Sequence, residues 1–300
     1  MEKTIRTSIL SAFCADALAL GVHWVYDANA IREKYGRLTE MTAPELADYH
    51  QGKPQGAFTH YGDQAMVLLK VLSQEQIFEL KPFGLEWQNL FSDYGGYMDH
   101  ASKTTLANFE KGLSPEIAGA PSMDLGGASR MFPLGLMLSR GMERSDFVRA
   151  CMDQTRMTHN TPQVLGAARL MAETYARVVE GMGPVAALND TLTRPDLPLD
   201  VTALVKTALR SRDQDSLTAI QTFGAACSWD GALAGTIHLL AKYENDLETA
   251  LVENIMAGGD SAARGMLVGW LLGAHVPEQL PGRWVDGMVR QSEIQVMLGD

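Results

Sequence analysis

The chain has 300 residues, 46% hydrophobic and 20% charged, which is enough apolar content for a packed core and excludes an intrinsically disordered chain. Its 36 Asp and Glu outnumber 25 Lys and Arg, for a formal charge of −11. This argues against nucleic acid or an anionic membrane as the main partner, since both need a positive footprint. Three cysteines are too few for a disulfide framework or a zinc knuckle. No stretch approaches the ~20 apolar residues of a membrane span, and residues 1–9 carry no signal-type apolar run, so a cytoplasmic protein is expected.

Hydrophobic spacing is helical almost throughout. Residues 11–22 (SAFCADALALGV) are apolar nearly all round and predict a buried helix with Asp16 in its middle. Cys14 within it, and Cys227 much later, read as small core residues. The aromatic and polar set His23-Trp24-Val25-Tyr26-Asp27 follows, with Trp24 a candidate wall of a ligand pocket. After a break at residues 52–56, Tyr61-Gly62-Asp63 leads into the apolar run 65–69. A second break spans 112–127 and ends in Gly126-Gly127, a weak candidate for anion-facing N–H groups. Thr161-Pro162 predicts an N-cap and first-turn proline for a helix reaching Gly181, with Val164, Ala168, Met171, Tyr175 and Val178 on its buried face. Just before it, Thr158-His159-Asn160 places polar groups at a helix start. Further stripes run over 201–209, 233–243 and 247–256. The most apolar segment, 265–274 (GMLVGWLLGA), follows Gly258-Gly259-Asp260-Ser261 and Arg264. No strand pattern, fixed-period repeat or low-complexity linker is evident. The expectation is all-α: a single compact multi-helix domain over residues 1–300, with roughly a dozen helices.

Three carboxylates stand among apolar neighbours, and a charge in a low-dielectric interior needs donors, a cation or a shifted pKa. Asp63 and Asp260 lie near helix starts, where capping explains an acid. Asp16 is mid-helix, so it is either a bonded core carboxylate joining two helices or a functional acid. Arg264, four residues after Asp260 on the same helix face, is a candidate counter-ion for Asp260 and for Asp63. His60, His100 and His238 lack metal-ligand spacing, and no CxxC, HExxH, GxSxG or P-loop motif is present.

Five blocks in order resemble the ADP-ribosylglycohydrolase family over nearly the whole chain: CADALALGVHWVY from Cys14, YGDQAMVLL from Tyr61, GGASRMFPLGL from Gly126, THNTPQVLGAA from Thr158 and GGDSAARGMLVGWLLGA from Gly258. YGDQ, GGDSAAR and HWVYD are most similar to the branch that contains J-type lens crystallins and selenoprotein J. The resemblance implies an all-α fold whose central cleft takes an ADP-ribose-like ligand, a nucleotide sugar or an ADP-ribosylated substrate. In active members of the family two Mg²⁺ ions are caged by Thr-Asp-Asp and Asp-x-Asp-Thr/Ser. Here Tyr61-Gly62-Asp63 and Asp260-Ser261-Ala262-Ala263 keep two of those four carboxylates, so no cofactor is the expectation and Mg²⁺ at a reduced site on Asp63 and Asp260 the alternative. The implied activity is hydrolysis of a ribosyl glycosidic bond, with Asp63, Asp260, Asp16 and His159 as catalytic candidates. Tyr61, Gly62, Gly126, Gly127, Asn160, Ser261, Arg264 and Trp24 are the ligand-contact candidates. The competing expectation is an inactive binding or structural protein on the same fold.

Overall fold

In the computed structural model, which describes residues 1–75 and 77–299, Gly265, Gly269 and Gly273 recur every fourth residue along the Ser261–His275 helix and bring it directly against the first helix, Glu2–Ala19. A Cβ on Gly269 would stand 2.7 Å from the Ser11 carbonyl oxygen, and one on Gly273 would stand 2.6 Å from Ser11 Cβ. The missing side chains are what allow this approach. Residues 261–274 are all buried, and the Pro162–Val179 helix packs beside them through Tyr175, whose ring stacks on Trp270 at 3.9 Å while its hydroxyl meets Ser8 Oγ at 2.7 Å.

Around this pair the described residues form seventeen α-helices and three short 3₁₀ segments. The excess over a dozen comes from one- and two-turn pieces such as Gly126–Ser129 and Gly135–Ser139, too short to leave a hydrophobic period. Extended pairing among the described residues is confined to two isolated bridges, Ala120 with His159 and Asp124 with Ser228. These tie the 118–125 segment to the loops that precede the Pro162–Val179 and Trp229–Lys242 helices. Thr161 is the N-cap residue of the former, yet its hydroxyl donates to the Ser122 carbonyl instead of capping. Cys14 is buried as expected of a small core residue and Cys151 is buried as well, whereas Cys227, also expected in the core, sits half-buried in the 224–228 loop. Among the described residues no helix is long and apolar enough to cross a membrane.

The third long element near the centre, His60–Gln74, starts at Thr59, whose side chain accepts from Tyr61 N–H. Thr59 in turn donates to Asp16 through its backbone N–H at 2.8 Å and its hydroxyl at 2.6 Å. Asp16 therefore bolts the middle of the first helix to the start of this one. Gly62 makes the contact possible: a Cβ there would lie 2.2 Å from Asp16 Oδ2 and 2.7 Å from Phe58 Cβ. Gly62→Ala is expected to destabilise the fold by ~1–3 kcal/mol, the usual penalty for overpacking. A thermal melt checks this, and an unchanged midpoint would mean the two helices part freely.

Candidate active site

The turn Gly258-Gly259 sets the geometry of the site. Both glycines have left-handed backbone, φ +65° and +64°, and a Cβ on either would meet the carbonyl of Val25 or Ala225 at 2.2 or 2.1 Å. Gly259 N–H donates to Val25 O, Trp24 N–H donates to Gly259 O, and Asp260 N–H donates to Ala225 O, at 2.7, 2.7 and 2.8 Å. This lacing holds Trp24 itself at φ +64°, a conformation that costs a non-glycine residue ~1–3 kcal/mol and persists only when its surroundings enforce it. It also fixes Asp260 as N-cap of the Ser261–His275 helix, where Oδ1 accepts from Ala263 N–H at 3.3 Å and lies 3.5 Å from His23 Nδ1. Burial pushes the Asp260 pKa up to about 7, with Arg264 the main opposing charge.

On the other side of His23 the chain gathers imidazoles. The rings of His23, His50 and His60 are 5.3, 5.4 and 6.0 Å apart, and His50 Nε2 is 3.2 Å from His60 Nδ1. Burial pushes all three pKa values down, that of His50 to about 3, so the rings are neutral bases. Aromatic rings close over them. Trp24 stacks on His23 at 4.4 Å, and Tyr97 and Tyr49 meet Trp24 edge-on at 5.1 and 4.8 Å. Tyr61 lies against His60 at 3.9 Å. Several buried polar atoms here have no hydrogen-bond partner: both nitrogens of His23, Trp24 Nε1, His50 Nδ1, His60 Nε2, Asp260 Oδ2 and Ser261 Oγ. Buried polar groups are normally satisfied, so a concentration of orphans in one place is characteristic of a site rather than of a core.

Beneath the rings runs a second buried network. Arg130, fully enclosed, donates to Gln64 Oε1 and to Thr158 Oγ1, and lies 4.0 Å from Asp99 Oδ2 and 3.5 Å from His159 Nδ1. Burial and the Arg130 charge push His159 down to about 3. Burial works to raise Asp99, but Arg130, His159 and the Ser102 N–H and hydroxyl outweigh it and hold the carboxylate below its usual range.

Asp63 occupies a separate corner. Its Oδ2 accepts from Lys53 Nζ at 2.5 Å and from the Tyr94 hydroxyl at 2.6 Å. Asp16, close enough to feel both Asp63 and Lys53, is pushed by burial up to about 7 despite its two bonds from Thr59. Lys53 and its neighbours Tyr49 and His50, with Gly95, Gly96 and Tyr97 opposite, line a cavity of about 300 Å³ above the imidazoles.

The sequence candidates thus divide. Asp16 and Asp63 share one corner; Asp260, Trp24 and Tyr61 surround His23, while the Ser261 carbonyl accepts from Asn254; His159 belongs to the Arg130 network. Gly126 and Gly127 have a packing reason to be glycine, since a Cβ on them would meet the Tyr61 ring at 2.5 Å and the His159 ring at 2.6 Å. Asn160 is exposed, its N–H donating to Ala120 O. Arg264 is not the counter-ion of Asp63. It is fully buried and donates to Asn254 Oδ1, Ala225 O and Gly258 O, while Lys53 takes the Asp63 carboxylate. His50, His60, Lys53, Tyr94, Asp99 and Arg130 were not singled out by spacing.

The family model for ADP-ribosylglycohydrolase matches residues 1–300. The chain belongs to the ADP-ribosylglycohydrolase family. Among similar proteins are Crystallin J1A and Crystallin J1B of Tripedalia cystophora, each 24% identical over 96% of this chain and 93% of their own. A solved structure described as an ADP-ribosylglycohydrolase-related protein complex superposes with a TM-score of 0.76 at 20% identity, covering 99% of this chain and 96% of that one; at that identity it speaks for the fold alone. Among the described residues no three His, Cys, Asp or Glu side chains are grouped to hold a metal, and Asp63 already binds an ammonium and a phenol.

Proposed function

We propose that this protein is an ADP-ribosylglycohydrolase-like hydrolase that takes a nucleotide sugar or ADP-ribosylated substrate and cleaves its ribosyl glycosidic bond with side-chain acids and bases instead of a metal pair. The observation that carries the reading is the set of orphaned buried polar atoms around His23 and Asp260, within a fold whose family hydrolyses such bonds. Asp260, with a pKa near 7, is protonated often enough to protonate the leaving group as the bond to the anomeric carbon breaks. Water adds to the resulting oxocarbenium carbon and gives its proton to neutral His23. The 3.5 Å contact from His23 Nδ1 to Asp260 Oδ1 returns that proton and resets both groups. Mg²⁺ at a reduced site on Asp63 and Asp260 would require Asp63 to give up Lys53 and Tyr94.

A second reading, a ligand-binding or structural protein without turnover, is favoured by the rings of Trp24, Tyr49 and Tyr97 that pack edge-on across the cleft, and by the similarity to J1 crystallins. Thermal shift with ADP-ribose, with Mg²⁺ and with a chelator, separates the two when paired with hydrolysis of ADP-ribosyl-arginine, ADP-ribosyl-serine and nucleotide sugars. The expected result is a stabilisation approaching ~2.7 kcal/mol at a hundredfold excess over Kd, unaffected by chelator. Turnover is expected to fall at least 100-fold in Asp260→Asn, as for loss of a general acid. A shift without turnover in the parent selects a ligand-binding protein, and no shift removes every ADP-ribose site and leaves only the structural form of the second reading.

A further inference from the structure

We propose that the Lys53 ammonium is the resident cation of the cleft, standing on Asp63 in place of a divalent ion, and that Lys53, held by Asp63, grips a hydroxyl of the ligand's ribose. This rests on the nucleotide-sugar reading above. The family expectation puts a metal on the acid at position 63. In this chain that acid instead receives Lys53 Nζ at 2.5 Å, and the same nitrogen donates to the Phe58 carbonyl at 2.7 Å. An ammonium bound by two oxygens reproduces part of a hard cation's oxygen coordination with one charge instead of two. It has three N–H donors, and the protein takes two. Lys53 is 18% exposed at its side chain and lines the cavity of about 300 Å³ with Tyr49, His50 and Tyr97, so its third donor has a place to act.

The partner chemistry follows from the sign of both groups. A phosphate brought to Lys53 would also meet the Asp63 carboxylate and be repelled by it. A hydroxyl accepts from the ammonium through its oxygen and brings no negative charge toward Asp63, so the site suits a neutral sugar. The volume fits a sugar ring and is too small for a whole dinucleotide. Lys53 also bears on the imidazoles: after burial, its charge is among the causes that hold His50 and His60 neutral.

Two measurements decide this. Mn²⁺ binding is read by electron paramagnetic resonance on the parent and on Asp63→Asn, with no other ligand present. ADP-ribose binding is read by calorimetry on the parent, Lys53→Met and Lys53→Arg, with ribose and inorganic phosphate as competitors. The expected results are no Mn²⁺ retained through Asp63 and a loss of ADP-ribose affinity of tenfold or more in Lys53→Met. Lys53→Arg should recover part of that affinity because the charge is kept, and ribose but not phosphate should compete. Mn²⁺ bound by the parent and lost in Asp63→Asn would overturn the proposal, as would Lys53→Met binding ADP-ribose like the parent or phosphate competing better than ribose. A parent that binds no ADP-ribose sinks the proposed function, while the Mn²⁺ comparison still decides whether Lys53 holds the cation position.

Discussion

Asp16→Ala is expected to cost on the order of 3–5 kcal/mol in urea unfolding at acidic pH, since two buried donors lose their acceptor at ~1–3 kcal/mol each. The variant leaves the Thr59 N–H and hydroxyl without acceptors at the junction of the Glu2–Ala19 and His60–Gln74 helices, beside the gap that Gly62 keeps open. Asp16→Asn should cost less, because its amide oxygen keeps one of the two bonds while its NH₂ faces a donor. The penalty should also depend on pH in a defined direction. The folded pKa, about 7, lies above the ordinary 3.8, so the native state holds a proton that the unfolded chain releases. That contribution is complete below about pH 4, declines between about pH 4 and 7, and is gone above it. The deficit of Asp16→Ala should therefore be largest near pH 4 and shrink toward pH 7. A deficit that grew over this window would mean that Asp16 is ionised in the native state.

The same residue illustrates what a sequence exposes. A carboxylate at the centre of an apolar helix has to be explained by something outside that helix, and Asp16 was legible as a bonded core acid or a functional one before its partner was known. Long apolar helices and the capping acid Asp260 were legible for similar reasons: each leaves a local period or a local misfit. Arg130 leaves the same kind of signal, a guanidinium within GGASRMFPLGL, and the argument that picked out Asp16 would have picked it out too. His50, Lys53 and Tyr94 leave none. They lie in polar loops where a histidine, lysine or tyrosine is unremarkable by composition, and only the packing of residues 49–53 and 94–97 over the His60 helix turns them into a site. The reading of Arg264 as counter-ion to Asp63 failed on the same ground. Helical spacing put it one turn from Asp260, where its charge opposes burial, but which of several carbonyls and carboxylates a long side chain reaches is decided by loops that periodicity does not describe.

Arg264 gives the second large effect. Its guanidinium, with no solvent exposure, joins three segments: Nε donates to Asn254 Oδ1 at 3.2 Å, one terminal nitrogen to Ala225 O at 3.3 Å, and the other to Gly258 O at 2.5 Å. Burial lowers its pKa to about 10, which leaves it charged at neutral pH. Arg264→Met is expected to lose ~3–5 kcal/mol, since hydrogen bonds from a charged donor contribute ~1.5–3 kcal/mol each and the abandoned carbonyls stay buried. Arg264→Lys should lose less, keeping the charge but not the planar fork that spans the segments. The loss should carry a signature at Asp260. Arg264 is the main group opposing burial there, so without it the folded pKa of Asp260 rises above about 7. A raised carboxyl pKa removes stability as pH climbs from the unfolded value to the folded one. The decline that levels off near pH 7 in the parent should thus continue to higher pH in Arg264→Met, and adding Asp260→Asn to that variant should abolish the extension. Stability curves from pH 4 to 9 read both effects. Identical levelling in parent and Arg264→Met would show that the guanidinium only ties the loops together and that its charge does not reach the acid.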